Sequence, residues 1–203
     1  MSLSRKAILV IVIILLIDQA LKITVKLTMT KQDFISVFGN WFVLHFIENK
    51  GMAFGIDIPG KLGKPALTLF RLAAVVVIGF YLRKLILRKA PAGFVMCIAL
   101  IFAGALGNII DSMFYGLIFS ETTYLDTARL FPPGGGYASF LHGQVVDMLY
   151  FPLFEGTYPA WFPFVGGHSF LFFRPIFNIA DASISVGVIS IFLFQRKYLR
   201  DLK

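Results

Sequence analysis

Charge and cysteine are both scarce in this chain. Charged residues make up 15% of its 203 residues, and there is a single cysteine, Cys97. Soluble domains carry about 25% charged residues, so a water-soluble globular fold is disfavoured. One cysteine excludes an intrachain disulfide and a thiolate metal cluster, and Cys97 in its apolar run reads as a small buried residue. His45, His142 and His168 are scattered and lack the H-E-x-x-H spacing that puts two zinc ligands on one helix face. No G-x-S-x-G elbow surrounds Ser183 or Ser185, and there is no phosphate-binding loop. Metalloprotease, serine-hydrolase and nucleotide-dependent chemistry therefore have no carrier, and no metal or other cofactor is expected.

What the chain has instead is apolar length. Hydrophobic residues make up 58% of it and mean hydropathy is +0.80. Four runs are long enough to cross a hydrocarbon core of ~30 Å: Ala7–Leu27, Ala66–Leu82, Ala92–Ile118 and Pro175–Phe194. They predict an α-helical membrane protein with four transmembrane helices, one integral membrane domain over residues 1–203, and two outer loops, 28–65 and 119–174. Arg5-Lys6 and the apolar run behind them look like the start of a signal peptide. Asp18-Gln19 follows, however, with no small-x-small cleavage site, so the segment reads as a retained helix.

The net charge of +8 would suggest nucleic acid in a soluble protein. Here its placement points elsewhere. Arg5 and Lys6, then Arg83, Lys84, Arg88 and Lys89, then Arg196, Lys197, Arg200 and Lys203 fall in three short segments that four spans put on one side. By the positive-inside rule both termini are cytoplasmic and both long loops lie outside. No nucleic-acid partner is expected. In the first outer loop Lys31, Lys50, Lys61 and Lys64 nearly balance Asp33, Glu48 and Asp57, and in the second, acids outnumber bases.

The outer loops are not ordinary polar linkers. Trp41–Ile47, after the Gly39-Asn40 turn signal, is rich in β-branched and aromatic residues and reads as a strand. Tyr158–Phe173 is too broken by proline and glycine for a helix. The aromatic residues crowd between Phe114 and Phe177, which suggests an aromatic-rich loop at the outer membrane interface.

Ionisable groups inside spans are costly and by default functional. Three polar pairs occur at same-face helical spacing: Asp18 with Lys22, Asn108 with Asp111, and Asn178 with Asp181. Gly104 and Gly107 share the Asn108 face and would let another helix approach. Counting ~1.5 Å per residue, Asp18 lies about 18 Å above Lys6, Asp111 about 26 Å above Phe94, and Asp181 about 22 Å above Arg196. All three belong to the outer half of the core. Asp147 sits in an apolar segment leading towards the fourth span. Asp18 with Lys22 also suits a neutralised pair that tolerates burial, and Asn108 and Asn178 also suit plain hydrogen bonding between helices. Asp147 and Asp181 have no basic residue nearby in sequence, so each must protonate or share a proton with another acid. Two chemistries remain: acid catalysis by paired aspartates, or proton and ion translocation by the same carboxylates.

Five segments then match one family. Asp18-Gln19-x-x-Lys22, Asn49-x-Gly51-x-Ala53-Phe54-Gly55, Gly104-x-x-Gly107-Asn108-x-x-Asp111, Val145-Val146-Asp147 and Phe177-Asn178-x-Ala180-Asp181 resemble, in order and over essentially the whole chain, the bacterial lipoprotein signal peptidases (type II signal peptidases). That resemblance implies an intramembrane aspartyl endopeptidase of the bacterial inner membrane. Its substrates would be diacylglyceryl-modified prolipoproteins, cut just before the lipid-modified cysteine, with membrane lipid as the other partner and a monomeric enzyme. It also implies Asp147 and Asp181 as the catalytic pair. Asn49, Gly51, Asn108, Asp111, Asn178 and Ala180 would bind substrate or support the pair, Asp18 and Lys22 would give structural support, and a small extracytoplasmic β-cradle would follow the first span. Two departures stand out. The family's third motif usually continues Asp-Arg where this chain has Asp111-Ser112, which leaves an arginine role to Arg129 or Arg174. The stretch between Asp147 and Asp181 is also longer than usual.

Overall fold

The computed structural model describes residues 1–49, 63–172 and 175–201. Gly51, Ala53, Phe54, Gly55 and Arg174, singled out in the sequence, lie outside the described residues.

Helix α1 spans Leu3–Thr28, its first turn capped by Ser2, whose Oγ accepts from the Arg5 amide at 3.3 Å. Helix α2 spans Gly63–Leu87. Helix α3, Ala92–Ile110, runs on through a π-helical turn at Asp111–Tyr115 into α4, Gly116–Ile118. Together these make three helical segments long and apolar enough to cross a membrane. Helix α5, Ile179–Phe194, is apolar but has only 16 residues, and α6, Arg196–Asp201, follows it.

Helix α5 starts later than the apolar run beginning at Pro175 suggests. Ile176–Phe177 form strand β6, and Asn178 caps the helix. The strand pairing and the cap both need extended backbone, so the helix cannot begin earlier.

Strands β1 (Phe34–Phe38), β2 (Phe42–Asn49), β3 (Val145–Tyr150) and β6 form one antiparallel sheet in the order β1-β2-β3-β6. The Gly39-Asn40 turn does join two strands, and β1 is exposed along its whole length. Between β2 and β3 the register slips by one residue between Leu44 and Ile47, and beyond that point Ile47 faces Asp147 and Asn49 faces Val145. Strand β3 is buried over Val145–Leu149. Its Val146 and Met148 join Val25, Met29, Phe46, Tyr115 and Phe119 in one hydrophobic cluster. The two-residue period of a strand therefore turns Asp147 to the opposite face. The aromatic stretch holds a separate hairpin, β4 (Phe154–Thr157) with β5 (Ser169–Phe172). Its tip exposes Trp161, Phe162 and Phe164.

The α-helices meet through α3. At Gly104 an added Cβ would strike the Ala180 carbonyl and the Ile184 side chain of α5; at Gly107 it would strike the Asp18 carboxylate and Ala180. These two glycines let α5 and the polar face of α1 close on α3. The π turn has a local cause as well. Backbone N–H groups from the returning segment take carbonyls that an α-helix would use internally: Gly143 donates to Ser112 at 2.9 Å and Ala138 to Gly116 at 2.9 Å.

Candidate active site

The inward face of α1 carries Asp18, Lys22 and Lys26, each one turn after the last and each buried. Lys22 Nζ has three N–H donors and three acceptors around it. Asp18 lies at 2.9 Å, Asp111 at 2.7 Å and Asn108 Oδ1 at 2.8 Å. A fully buried ammonium is tolerable only when so satisfied. Gln19 completes this layer: its amide nitrogen donates to Asp111 at 2.9 Å and to Asp18 at 3.1 Å, and its oxygen accepts from the Tyr115 hydroxyl at 3.2 Å. Asp111 and Tyr115, four residues apart across the π turn, both reach Gln19 on this side.

The other carboxyl oxygen of Asp18 accepts the Ala180 amide at 2.9 Å. Ala180 lies in the first turn of α5, whose N–H groups have no intrahelical acceptor, so α1 supplies a negative cap to a neighbouring helix. At the same end Asn178 and Asp181 form a capping box: Asn178 Oδ1 accepts from the Asp181 amide at 2.8 Å, and Asp181 accepts from the Asn178 amide at 3.4 Å.

These fixed oxygens decide where the amide nitrogens point. Asn108, its oxygen held by Lys22, donates to Asp181 Oδ1 at 2.8 Å. Asn178, its oxygen held by the Asp181 amide, donates to Asp147 Oδ1 at 2.7 Å and also lies 3.1 Å from Asn108 Oδ1. Asn49, at the end of β2, donates to the second oxygen of Asp147 at 3.4 Å. Asp147 and Asp181 thus belong to one hydrogen-bonded group joined through Asn178, in which Asp147 and Asn178 are buried and Asp181 is half-buried. Burial and the nearby Asp181 charge push the Asp147 carboxyl up to about 7, against the opposite pull of Lys22, Asn49 and Asn178. Asp147 is thereby able to carry a proton near neutral pH.

Of the residues singled out in the sequence, the structure brings together Asp18, Lys22, Asn49, Asn108, Asp111, Asp147, Asn178, Ala180 and Asp181. Ser112 is buried but turned away, its hydroxyl bonded to its own helix at Asn108 O, 3.0 Å. Arg129 lies on the segment between α4 and β3, beside a surface cavity it shares with Glu121 and Asp126.

Three residues of this region have no role in the sequence analysis. Gln19 stands there only as part of a motif. Lys26 is fully buried, pairs with Glu48, and lies 5.0 Å from the Tyr137 ring and 5.4 Å from the Phe119 ring. It clamps α1 to the end of β2 just before Asn49, and its i+4 spacing from Lys22 is the signal that could have found it. Arg71, a cation inside the second apolar run, lies within electrostatic range of Asp181 and Asp147.

Comparison with known proteins places the chain in a family. Residues 10–196 match the family model described as signal peptidase (SPase) II. The chain is 51% identical over 180 residues to a lipoprotein signal peptidase of Porphyromonas gingivalis, covering 88% of this chain and 77% of that one. A lipoprotein signal peptidase of Amoebophilus asiaticus is 37% identical over 183 residues, 89% of this chain and 73% of that one. A solved bacterial membrane enzyme superposes with a TM-score of 0.62 at 26% identity, covering 98% of this chain and 92% of that one. A protease family whose model spans nearly the whole chain, together with long apolar helices around a buried carboxylate group, identifies this membrane protein as a member of the signal peptidase II family.

Proposed function

We propose that the chain is an intramembrane aspartyl endopeptidase. It removes the signal peptides of diacylglyceryl-modified prolipoproteins, cutting just before the lipid-modified cysteine. The observation that carries this reading is the joining of Asp147 and Asp181 through Asn178. In the reaction Asp147 holds the shared proton and Asp181 takes a proton from water. The water oxygen attacks the scissile carbonyl while Asp147 donates to the carbonyl oxygen, and collapse of the tetrahedral intermediate returns a proton to the leaving amine. The enzyme forms no covalent intermediate and the chemistry needs no metal. Asn108 and Asn178 orient the two carboxyls, Asn49 steadies Asp147, and Gly51 and Asp111 support the site. Asp18 and Lys22 lock α1 and α5 around it.

The enzyme is a monomer of the bacterial inner membrane. Helix α5 is its fourth span, a thin one completed by the strand and cap before it, and both termini are cytoplasmic. An ion relay would need carboxylates down to the inner face. At the other end Ala7, Leu82, Leu85, Phe94 and Val95 join one hydrophobic cluster, which favours catalysis over transport.

The test is cleavage of a diacylglyceryl-modified prolipoprotein by purified wild type, Asp147→Asn, Asp181→Asn and the double variant. Asn keeps the size of the side chain but cannot exchange a proton in this range. Either single variant should lose nearly all activity, with the double little worse. A folded single variant that still cleaves well would remove the pair from the mechanism and leave Asp111 as the next candidate.

A further inference from the structure

The buried stripe of α2 is drawn by Thr68, Val75, Leu82 and Leu85. Arg71 stands three residues after Thr68 and four before Val75, so it lies on that same inward stripe. Thr68 shows where the stripe faces: its hydroxyl donates to the Leu141 carbonyl at 3.0 Å, on the segment that runs into β3 and Asp147. By helical rise Arg71 lies about 24 Å from Leu87, close to the depth of Asp181 counted along its own helix. The guanidinium is half-buried and within electrostatic range of both Asp181 and Asp147. Yet it forms no hydrogen bond or ion pair with any described residue.

That contrasts with Lys22, whose three donors are all taken. A cation inside a span whose donors meet no described acceptor is costly and calls for a ligand. The ligand class follows from the surroundings. Asp18, Asp111, Asp147 and Asp181 face one lysine in this layer, so an anion would be repelled. A neutral carbonyl oxygen would not, and it matches the fork of N–H groups that a guanidinium presents.

We propose that Arg71 is a substrate-binding residue of this site: its guanidinium donates to a carbonyl oxygen of the bound substrate beside the bond to be cut. This rests on the aspartyl reading above. The carbonyl belongs either to the peptide or to the acyl ester of the lipid, and the two are separable by experiment.

Arg71→Gln and Arg71→Lys are to be compared with wild type in nanodiscs, using a lipid-modified peptide substrate. Loss of a charged hydrogen bond to substrate should cut kcat/KM by about 10- to 100-fold. The loss should fall mainly on KM, because the ground state already makes the bond. Thermal unfolding should stay at the wild-type temperature. Arg71→Lys should recover part of the loss, since it keeps a charged donor but not the fork. The inference is overturned if Arg71→Gln cleaves within about threefold of wild type. It is equally overturned if both variants lose activity alike together with a lowered unfolding temperature, which would mean a purely structural role. Repeating the comparison with an ether-linked lipid assigns the oxygen. A deficit that persists in Arg71→Gln identifies a peptide carbonyl, and one that vanishes identifies the ester. Asp147→Asn in parallel separates the two readings: if it cleaves, the aspartyl reading fails, and if it is inactive while Arg71→Gln is normal, only the Arg71 inference fails.

Discussion

Lys22 decides which way the Asn108 amide faces. Its ammonium donates to Asn108 Oδ1 at 2.8 Å, and the opposite end of that amide therefore donates to Asp181, also at 2.8 Å. The charge of Lys22 is spent on Asp18 and Asp111, so what reaches Asp181 from this side is a neutral, aimed N–H. A cation buried on α1 thereby orients a carboxyl on α5 through a side chain of α3, without touching it.

Asn108→Asp should expose that relay. It removes the N–H donor and places another carboxylate against Asp181, while Lys22 keeps an oxygen partner. Cleavage should fall by about 10²-fold or more, with a much smaller change in thermal unfolding in detergent. Near-normal cleavage by this variant would show that the Asn108 amide does not orient Asp181.

The pH dependence follows from Asp147. Its carboxyl is held up to about 7, chiefly by burial and then by the Asp181 charge, whereas an unfolded aspartate titrates near ~3.9. The proposed reaction needs the shared proton, so kcat/KM should fall as pH rises through about 7. The sign for stability is the same. The folded state binds the proton more tightly than the unfolded one, so this contribution is complete below ~3.9 and is lost as pH rises towards the folded value. A pH–rate profile flat across neutrality would contradict this placement of the proton.

Lys22→Met should be a folding defect before it is a catalytic one. It leaves Asp18 and Asp111 buried without their cation, a situation that costs about 3–5 kcal/mol. Asp147→Asn strands no partner charge and should leave the unfolding temperature nearly unchanged. Equal unfolding temperatures for Lys22→Met and wild type would show that the acids accommodate by protonation alone.

The proposed topology is open to cysteine labelling in a Cys97→Ala background. A cysteine at Asn40, in the turn between β1 and β2, should react with an impermeant thiol reagent from outside. One at Lys89, between α2 and α3, should react only after the membrane is opened. Labelling of both from one side would rule out the arrangement.

Much of the site is legible in the sequence because its residues advertise themselves locally. A carboxylate or carboxamide inside an apolar run is conspicuous, and helical spacing alone pairs Asp18 with Lys22 and Asn178 with Asp181. The glycine pair of α3 is legible as a close approach, though not that Ala180 is the neighbour. Lys26 and Arg71 escape a sequence reading for opposite reasons. Lys26 gains its meaning from Glu48 and from rings far along the chain. Arg71 is visible as a charge within a span but has no partner in sequence to explain it.

By itself the sequence determined the solvent, the apolar helical runs and the polar residues carried by the first, third and fourth of them, because hydropathy and the 3.6-residue period are properties of a single segment. It also marked the strand after the Gly39-Asn40 turn; that Phe34–Phe38 pairs with it as a hairpin is seen only in the structure. Only the tertiary structure decided which faces meet: that Asp18 caps α5, that Asn178 stands between Asp147 and Asp181, that Ser112 turns back on its own helix, and that Arg71 comes within electrostatic range of the pair. It also decided that Ile176–Phe177 would serve the sheet rather than the fourth helix. These outcomes depend on contacts between residues far apart in the chain, such as Asp18 with Ala180 and Asn108 with Asp181. Periodicity says which side of a helix is polar; packing settles which partner fills it.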